Sequence, residues 1–432
     1  MRAAAWFAVG AVGMIGAGLV GAGCDWRDFD SIEANTPVLA VGPPSAYEAP
    51  NDFGGVILPL TPPTDGSAAA RFLGSATAQT GLAMVVIDPG GRASSQNVTS
   101  STLDGLDNTA VTAMAEIPGT GNVLLGLPSL SSQSTLLTLN VTSLIVSPFV
   151  LSTEAQLGVG VAAGALGGAA APDLVALSGS SLHVYVDGSS TSDLVAADSA
   201  ACPLVLSPNL PTVERINRAV VIGALTGAGT QIVVGTPVLT GAGSVSFFTV
   251  DTTAGTVTCV QSLTGPMTGD SQFGQALAIG DFDGDGVSDL LVGSPPNRVY
   301  LYRGPIAAAA APIATLTAPA TGGAFGSALV ALNLDSKAGD EALIADPKAT
   351  VGGQDGAGNV TIFSGPLLAT KFTTVLAPHD PSGGEAYGSS LGALPFCATM
   401  PCPAAPPRLP LVGAASQVFT YFTLGLTDPR TK

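Results

Sequence analysis

One stretch constrains the fold of this chain more than any other: Gly280–Pro295, which reads GDFDGDGVSDLLVGSP. Carboxylates stand at positions 1, 3, 5 and 9 of a loop, as Asp281, Asp283, Asp285 and Asp289. Gly284 and Gly286 let the backbone turn sharply enough for these side chains to converge, and such close carboxylates repel one another unless a cation lies among them. Oxygen ligands at alternating positions, with the Val287 carbonyl at position 7, favour Ca²⁺ over zinc or copper.

The flanks of the loop decide between two kinds of calcium site. An EF-hand loop needs a bidentate glutamate at position 12, where this chain has Val292. The neighbouring runs Ala276–Ile279 and Leu290–Val292 are short and apolar and are bounded by glycine and proline, which is typical of strands. The sequence therefore predicts a calcium loop between two β-strands.

The acidic loop and its neighbours together resemble a known repeat. Phe273–Leu277 (FGQAL) precedes the loop and Arg298–Gly304 (RVYLYRG) follows it. The whole segment is similar to one complete FG-GAP repeat of the integrin α-chain propeller type. This resemblance implies a β-propeller whose blades can carry Ca²⁺ in such loops, where the ion braces the edge of the blade.

A second signal is an apolar strand that ends in Gly or Ala and is followed, after a turn, by another apolar strand. It recurs at Val38–Pro43, Met84–Pro89, Val123–Pro128, Asp173–Leu177, Ile232–Pro237, Leu290–Pro295, Ala342–Pro347 and Leu411–Ala415. The partner strands include Leu182–Val186, Val245–Val250, Val299–Tyr302 and Val360–Phe363. The steps between the equivalent residues Gly126, Ala176, Gly235, Gly293, Ala345 and Gly413 are 50, 59, 58, 52 and 68 residues. This period fits blades of four strands.

The predicted fold is all-β, a β-propeller of about seven four-stranded blades over residues 36–432. Eight recurring pieces are visible, but closed propellers usually split one blade between the two termini, so the piece at Val38 would complete the last blade. Six and eight blades are the alternatives. With 55 Gly, 33 Pro and 10% charged residues, the composition also favours a turn-rich β protein.

The N-terminus predicts export. Residues 1–23 read as a bacterial lipoprotein signal peptide, with an apolar run Ala3–Val20 and small residues before Cys24, which would carry the lipid. Gly21 departs from this pattern, which usually has an aliphatic residue there. An uncleaved anchor helix is the alternative, although the many glycines disfavour a helix.

The expected location is therefore the bacterial cell envelope, at the outer membrane or cell surface, with a short tether over residues 24–35. The net charge of −17, from 14 basic and 31 acidic residues, argues against nucleic acid as a partner.

Four further cysteines allow disulfides in an exported protein. Cys397 and Cys402 frame a short proline-containing loop and form a candidate pair. Cys202 and Cys259 are 57 residues apart, close to the repeat length, which predicts matching sites in neighbouring blades. On outer strands such sites would lie too far apart to bridge, so this pairing stays open.

A second loop repeats the acidic pattern imperfectly. Shifted by 52 residues, the ligand positions are occupied by Asn333, Asp335, Lys337 and Glu341. The Lys337 ammonium can replace a cation between Asp335 and Glu341, and weak Ca²⁺ binding is the alternative. Only one loop in the sequence therefore keeps a full set of predicted calcium ligands.

Few residues suit catalysis. The chain has two histidines, His183 and His379, and the pattern G-x-S-x-G around Ser390 starts a propeller repeat with no histidine after it. The sequence favours a binding or scaffolding module with an unknown protein or glycan ligand, rather than an enzyme. The alternatives are a polysaccharide-active hydrolase or lyase that uses the propeller cleft, and a subunit of an outer-membrane assembly.

Overall fold

The structure of the chain is a computed structural model. It describes residues 38–44, 53–63, 65–75, 81–88, 92–98, 110–128, 134–167, 171–205, 218–319, 323–334, 338–364, 373–397 and 406–421. The predicted signal peptide, Cys24, the 24–35 tether, Asp335, Lys337 and Cys402 lie outside these residues. Within them, no helix is both long enough and apolar enough to cross a membrane.

The described residues form seven antiparallel sheets of four strands each, which we number as blades 1–7. The first strand of the chain is β1 (Val38–Val41). Blade 1 contains β2 (Val56–Leu60), β3 (Ala70–Ser75), β4 (Leu82–Ile87) and β5 (Ala93–Asn97). Blade 2 contains β6 (Ala113–Ile117), β7 (Asn122–Leu127), β8 (Ser134–Asn140) and β9 (Val146–Ser152). Blade 3 contains β10 (Gly160–Gly164), β11 (Asp173–Leu177), β12 (Ser181–Tyr185) and β13 (Asp193–Ala197).

Blade 4 contains β14 (Val220–Gly223), β15 (Gln231–Thr236), β16 (Ser244–Asp251) and β17 (Thr256–Thr264). Blade 5 contains β18 (Leu277–Gly280), β19 (Asp289–Ser294), β20 (Arg298–Tyr302) and β21 (Ala314–Thr317). Blade 6 contains β22 (Leu329–Leu332), β23 (Glu341–Asp346), β24 (Asn359–Phe363) and β25 (Thr373–Leu376). Blade 7 contains β26 (Ser390–Pro395), β27 (Arg408–Gly413) and β28 (Val418–Tyr421), and β1 completes it.

The first strands of the blades form the inner ring. Each contacts the first strand of the blade before it and of the blade after it, and β26 of blade 7 contacts β2 of blade 1. This closed circle of seven sheets is a β-propeller, so the predicted all-β fold and blade number are confirmed.

The two ends of the described chain meet in blade 7. The strand order there is β1-β28-β27-β26, with Val38 opposite Tyr421 and Val41 opposite Val418. The outermost strand thus comes from the N-terminal side and the other three from the C-terminal side. This confirms the prediction that the piece at Val38 completes the last blade.

The repeat seen in the sequence corresponds mainly to the second strand of each blade. Gly126, Ala176, Gly235, Gly293, Ala345 and Gly413 all lie on second strands, and the four partner strands are third strands. Two of the recurring pieces are not second strands: Met84–Pro89 begins in β4, a third strand, and Val38–Pro43 begins in β1, the outer strand that completes blade 7. β4 is buried on both faces, which gives it the apolar run of a second strand. The true second strand, β3, contains Arg71 and was missed.

Glycine recurs in the second strands because neighbouring blades approach closely there. A Cβ atom built on Gly293 would lie 2.1 Å from the carbonyl oxygen of Gly326 in blade 6, and one on Gly235 would lie 1.9 Å from that of Gly274. Gly274 and Gly326 both have a φ of +92°, which favours glycine. Gly274 and Gly326, each preceded by a phenylalanine, therefore pack against the second-strand glycine of the preceding blade.

A disulfide joins Cys202 to Cys259, with their Cα atoms 5.9 Å apart. The prediction that the two cysteines occupy matching sites is wrong. Cys259 is on the outer strand β17, but Cys202 lies in the connection that leaves β13. This connection packs on blade 4, where the Pro203 carbonyl accepts a hydrogen bond of 2.9 Å from Thr236 Oγ1. The short distance follows from this crossing between blades.

Cys397 also takes part in a disulfide. It is fully buried and its backbone N–H donates to the Ala69 carbonyl of blade 1 at 2.8 Å. Because Cys402 lies outside the described residues, the pairing of Cys397 with Cys402 stays a prediction.

Candidate metal centre

The connection from β18 to β19 in blade 5 brings three of the predicted ligands together. Asp281, Asp283 and Asp285 each offer a carboxylate oxygen within 4.8 Å of the other two. Gly284 and Gly286 have φ values of +79° and +82°, as the sharp turn requires. This carboxylate cluster has the oxygen chemistry and the spacing to hold a metal ion.

Backbone N–H groups fix the first carboxylate of the cluster. Asp281 Oδ1 accepts hydrogen bonds from the N–H groups of Gly284 at 2.8 Å and Asp285 at 3.1 Å. Its Oδ2 accepts one from Gly286 at 2.9 Å. The loop therefore folds around Asp281, which orients the later carboxylates towards it.

Asp289 has a different role from the other three aspartates. Its Oδ2 accepts hydrogen bonds from the N–H groups of Phe282 at 3.0 Å and Asp283 at 3.3 Å, and its Oδ1 accepts one of 2.9 Å from Gly304. The side chain is fully buried, and this burial raises the pKa of its carboxyl. Asp289 thus ties the acidic loop to the segment after β20. It lies outside the observed cluster, so its role as a metal ligand stays a prediction.

Other blades place a similar acceptor at the start of the second strand. Gln231 and Glu341 accept backbone hydrogen bonds from Leu225 at 2.8 Å and Leu334 at 2.6 Å, as Asp289 does from Phe282. Both side chains are buried. The first residue of the second strand is therefore a repeated structural anchor in these blades, whether or not the blade carries an acidic cluster.

Arg303, the residue after β20, lies against the cluster. Its Nε is 2.7 Å from Asp283 Oδ2 and its Nη2 is 2.7 Å from Asp285 Oδ2. The hydrogen bond from Arg303 lowers the pKa of Asp285. The Asp283 side chain is 2% exposed, and its Oδ2 accepts no hydrogen bond of good geometry from a described residue. A buried charged oxygen that lacks such a hydrogen bond is suited to bind a metal ion.

The loop of blade 6 supports the cluster from the side. Asp340 Oδ2 accepts a hydrogen bond of 2.9 Å from the Asp281 N–H, and the Asp340 N–H donates to the Asp281 carbonyl at 2.6 Å. Burial raises the pKa of the Asp340 carboxyl. The candidate metal centre is therefore linked to the neighbouring blade through its first residue.

The imperfect second loop is only partly described. Asn333 Nδ2 donates to the Gly339 carbonyl at 3.2 Å, and Glu341 occupies the same anchor position as Asp289 does in blade 5. The predicted pairing of Lys337 with Asp335 and Glu341 stays a prediction, because Asp335 and Lys337 lie outside the described residues.

Two residues that the sequence analysis weighed for catalysis have structural roles. Ser390 is the first residue of β26, 6% exposed, and its Oγ donates to the Gly54 carbonyl at 2.7 Å. It is therefore not at a nucleophile elbow. His183 is buried in blade 3 between the carboxylates of Glu154 and Asp193, at 2.8 Å and 2.9 Å.

Arg303 and Asp340 were not predicted from the sequence. Arg303 follows the apolar run of β20 directly, and this position after a third strand was the feature of the sequence that could have indicated a side chain near the loop. Asp340 stands beside Glu341, but only the packing of blade 6 against blade 5 shows that it reaches the neighbouring blade.

Comparisons with known proteins agree with this geometry. The family model described as "FG-GAP repeat" matches residues 273–302, which run from the Phe-Gly pair through β20. Human integrin alpha-IIb is 37% identical over 140 residues, which cover 28% of this chain and 13% of the integrin. Mouse integrin alpha-IIb is 35% identical over the same shares. The chain thus spans a small part of these relatives' length. This chain is a seven-bladed β-propeller protein in which residues 273–302 form an FG-GAP repeat.

Proposed function

We propose that this protein is a binding or scaffolding module, a β-propeller braced by one Ca²⁺ and attached to a bacterial cell envelope by a lipid on Cys24. The observation that carries the calcium part is the cluster of Asp281, Asp283 and Asp285 within 4.8 Å. The three carboxylates would hold the ion, with the Val287 carbonyl and Asp289 as further predicted ligands. The ion would neutralise like charges at the edge of blade 5 and so stabilise the fold.

The ligand-binding part rests on a cavity at the boundary of blades 6 and 7. Its volume is about 600 Å³, within the usual range for binding pockets. The connection from β25 to β26 and the turn from β27 to β28 form its walls. Because neighbouring strands are antiparallel, connections from a first to a second strand lie at one face of the ring, and those from a second to a third strand or to the next blade lie at the other. The acidic loop is of the first kind and both cavity segments are of the second, so they lie at opposite faces.

The lining of the cavity indicates the chemistry of its ligand. Asp380 and Glu385 contribute carboxylates, His379 and Gln417 contribute polar groups, and Phe419 offers an aromatic surface. The described residues that line the cavity include no lysine or arginine. A basic side chain of a protein ligand would be attracted to the carboxylates and could stack on the ring. A glycan would instead use the same groups through its hydroxyls.

Binding experiments with paired variants test this proposal. A lysine-rich decapeptide and a panel of neutral oligosaccharides are titrated into the full chain by calorimetry. We expect one of the two to bind, and the double substitution Asp380→Asn with Glu385→Gln to weaken it at least about tenfold. Asp187→Asn is the control, because it removes an exposed carboxylate in blade 3. Equal affinities of the wild type and the cavity variant would contradict the proposed surface.

The lipid anchor also predicts an orientation. Val38 pairs with Tyr421, the last residue of β28. This end of β28 is remote from the 414–417 turn, so β1 begins at the face of the ring that carries the acidic loop. A short tether from Cys24 would therefore hold this face towards the membrane and leave the cavity directed away from it. Metabolic labelling with a palmitate analogue tests the anchor, and loss of the label in Cys24→Ser is the expected result.

A further inference from the structure

We infer that Arg303 competes with the metal ion for the carboxylates. Without the ion, its guanidinium lies among them as the cation, and it must move away when the ion binds. This inference rests on the proposed calcium site, and it identifies Arg303 as a residue that sets the affinity of that site for Ca²⁺. It concerns a residue outside the acidic loop, directly after the third strand of blade 5.

Backbone contacts of the neighbouring residue position Arg303 beside the carboxylate cluster. The next residue, Gly304, donates its N–H to Asp289 Oδ1 at 2.9 Å. A Cβ atom on Gly304 would lie 2.1 Å from the Ser288 carbonyl oxygen, so this segment packs directly on the end of the acidic loop. The anchor residue Asp289 thus holds both the loop and the segment that carries the arginine.

The guanidinium and a metal ion would use the same oxygen. Asp283 Oδ2 is buried and lies 2.7 Å from Arg303 Nε. A Ca²⁺ ion binds its oxygen ligands at about 2.3–2.6 Å. An ion on Asp283 Oδ2 would therefore lie close to the guanidinium, and the two positive charges would repel each other. Asp285 Oδ2 faces the same choice, because it accepts a hydrogen bond of 2.7 Å from Arg303 Nη2.

The arginine is free to leave. Its side chain is 50% exposed, and its ion pairs within the described residues are to Asp283 and Asp285 alone. Moving it into water costs little, since half-exposed ion pairs contribute little to stability. A bound divalent ion would also repel the guanidinium. Arg303 therefore lowers the affinity for Ca²⁺ and limits the instability of the loop when Ca²⁺ is scarce.

The variant Arg303→Gln in the full chain tests the competition. Calorimetric titration with Ca²⁺ should show binding about threefold to tenfold tighter than in the wild type, because one positive charge is removed beside the ion. The thermal midpoints should cross: in chelator the variant should melt below the wild type, and in excess Ca²⁺ it should show the larger upward shift.

Arg298→Gln is the matched control, because Arg298 begins the strand that Arg303 follows but pairs with Asp270 at 3.1 Å. Its Ca²⁺ affinity should equal that of the wild type. Equal affinities of Arg303→Gln and the wild type, or weaker binding by Arg303→Gln, would overturn the competition while leaving the calcium site in place. Absence of Ca²⁺ binding in all three proteins would overturn the calcium site itself and this inference with it.

Discussion

At the residue scale, the same side-chain type takes different roles in blade 5 according to its neighbours. Asp281 and Asp289 both accept backbone hydrogen bonds, but Asp289 is buried and Asp281 lies in the carboxylate cluster. Spacing in the sequence predicts which carboxylates can converge. It does not show which oxygens are already used by N–H groups, because these contacts depend on the folded backbone, and one donor, Gly304, lies outside the loop.

His183 gives a residue-scale prediction about pH. Burial lowers its pKa, but the hydrogen bond and charge of Asp193 and the charge of Glu154 outweigh this effect, so that the pKa is raised overall. Tyr185 stacks near the imidazole ring and is the other titratable group in contact. The protonated imidazole therefore joins the end of blade 2 to the outer strands of blade 3.

The sign of the pH effect follows from the raised pKa. The folded state binds the proton more tightly, so the stabilisation is complete below the unfolded pKa of about 6.5 and is lost as pH rises through the folded pKa. We expect His183→Gln to lower the free energy of unfolding by up to about 1 kcal/mol at pH 6, and by less at pH 9. Urea titrations at both pH values measure this, and an equal loss at both would contradict it.

At the element scale, the second strands carry most of the sequence signal. They are buried on both faces, as in β15, β19 and β23, and so read as continuous apolar runs. An apolar run does not identify a second strand where an outer strand such as β1 has the same composition. The repeat period also does not locate residues in a connection that crosses between blades. The Cys202–Cys259 disulfide belongs to the second case, because a period counted along strands does not locate Cys202.

The disulfide gives an element-scale prediction. It closes a loop of 57 residues and fixes the connection from blade 3 on the outer strand of blade 4. The double substitution Cys202→Ser with Cys259→Ser should lower the free energy of unfolding by about 2–4 kcal/mol. Urea unfolding of this variant measures the effect without opening the disulfide of Cys397, as a reductant would. An unchanged midpoint would show that the connection is held by its other contacts.

At the scale of the whole molecule, the ring closes through one strand from the N-terminal side. Val41 of β1 is 7% exposed and packs with residues of blades 1 and 7, including Phe53 and Leu411. The seven-blade count was predictable from the repeat and from this closure rule. The cavity between blades 6 and 7 was not, since its walls come from two connections that have no pattern in the sequence.

Ring closure predicts that β1 is needed for stability. Val41→Asp would bury a charge without a partner and should lower the free energy of unfolding by about 3 kcal/mol or more. Ala40→Asp is the control on the exposed side of the same strand and should change it by less than about 0.5 kcal/mol. Urea unfolding with amide hydrogen exchange of β28 measures both. Similar stabilities of the two variants would contradict closure by β1.

The most direct test is the thermal midpoint of the full chain in Ca²⁺ and in chelator, with bound ions counted by native mass spectrometry. The wild type is compared with the double variant Asp283→Ala, Asp285→Ala. We predict one bound ion in the wild type and a stabilisation of about 1.4 kcal/mol at a Ca²⁺ concentration ten times the dissociation constant. The variant should bind no ion at this site and show no shift. A wild type without an ion or a shift, or a variant that keeps both, would contradict a calcium-braced propeller.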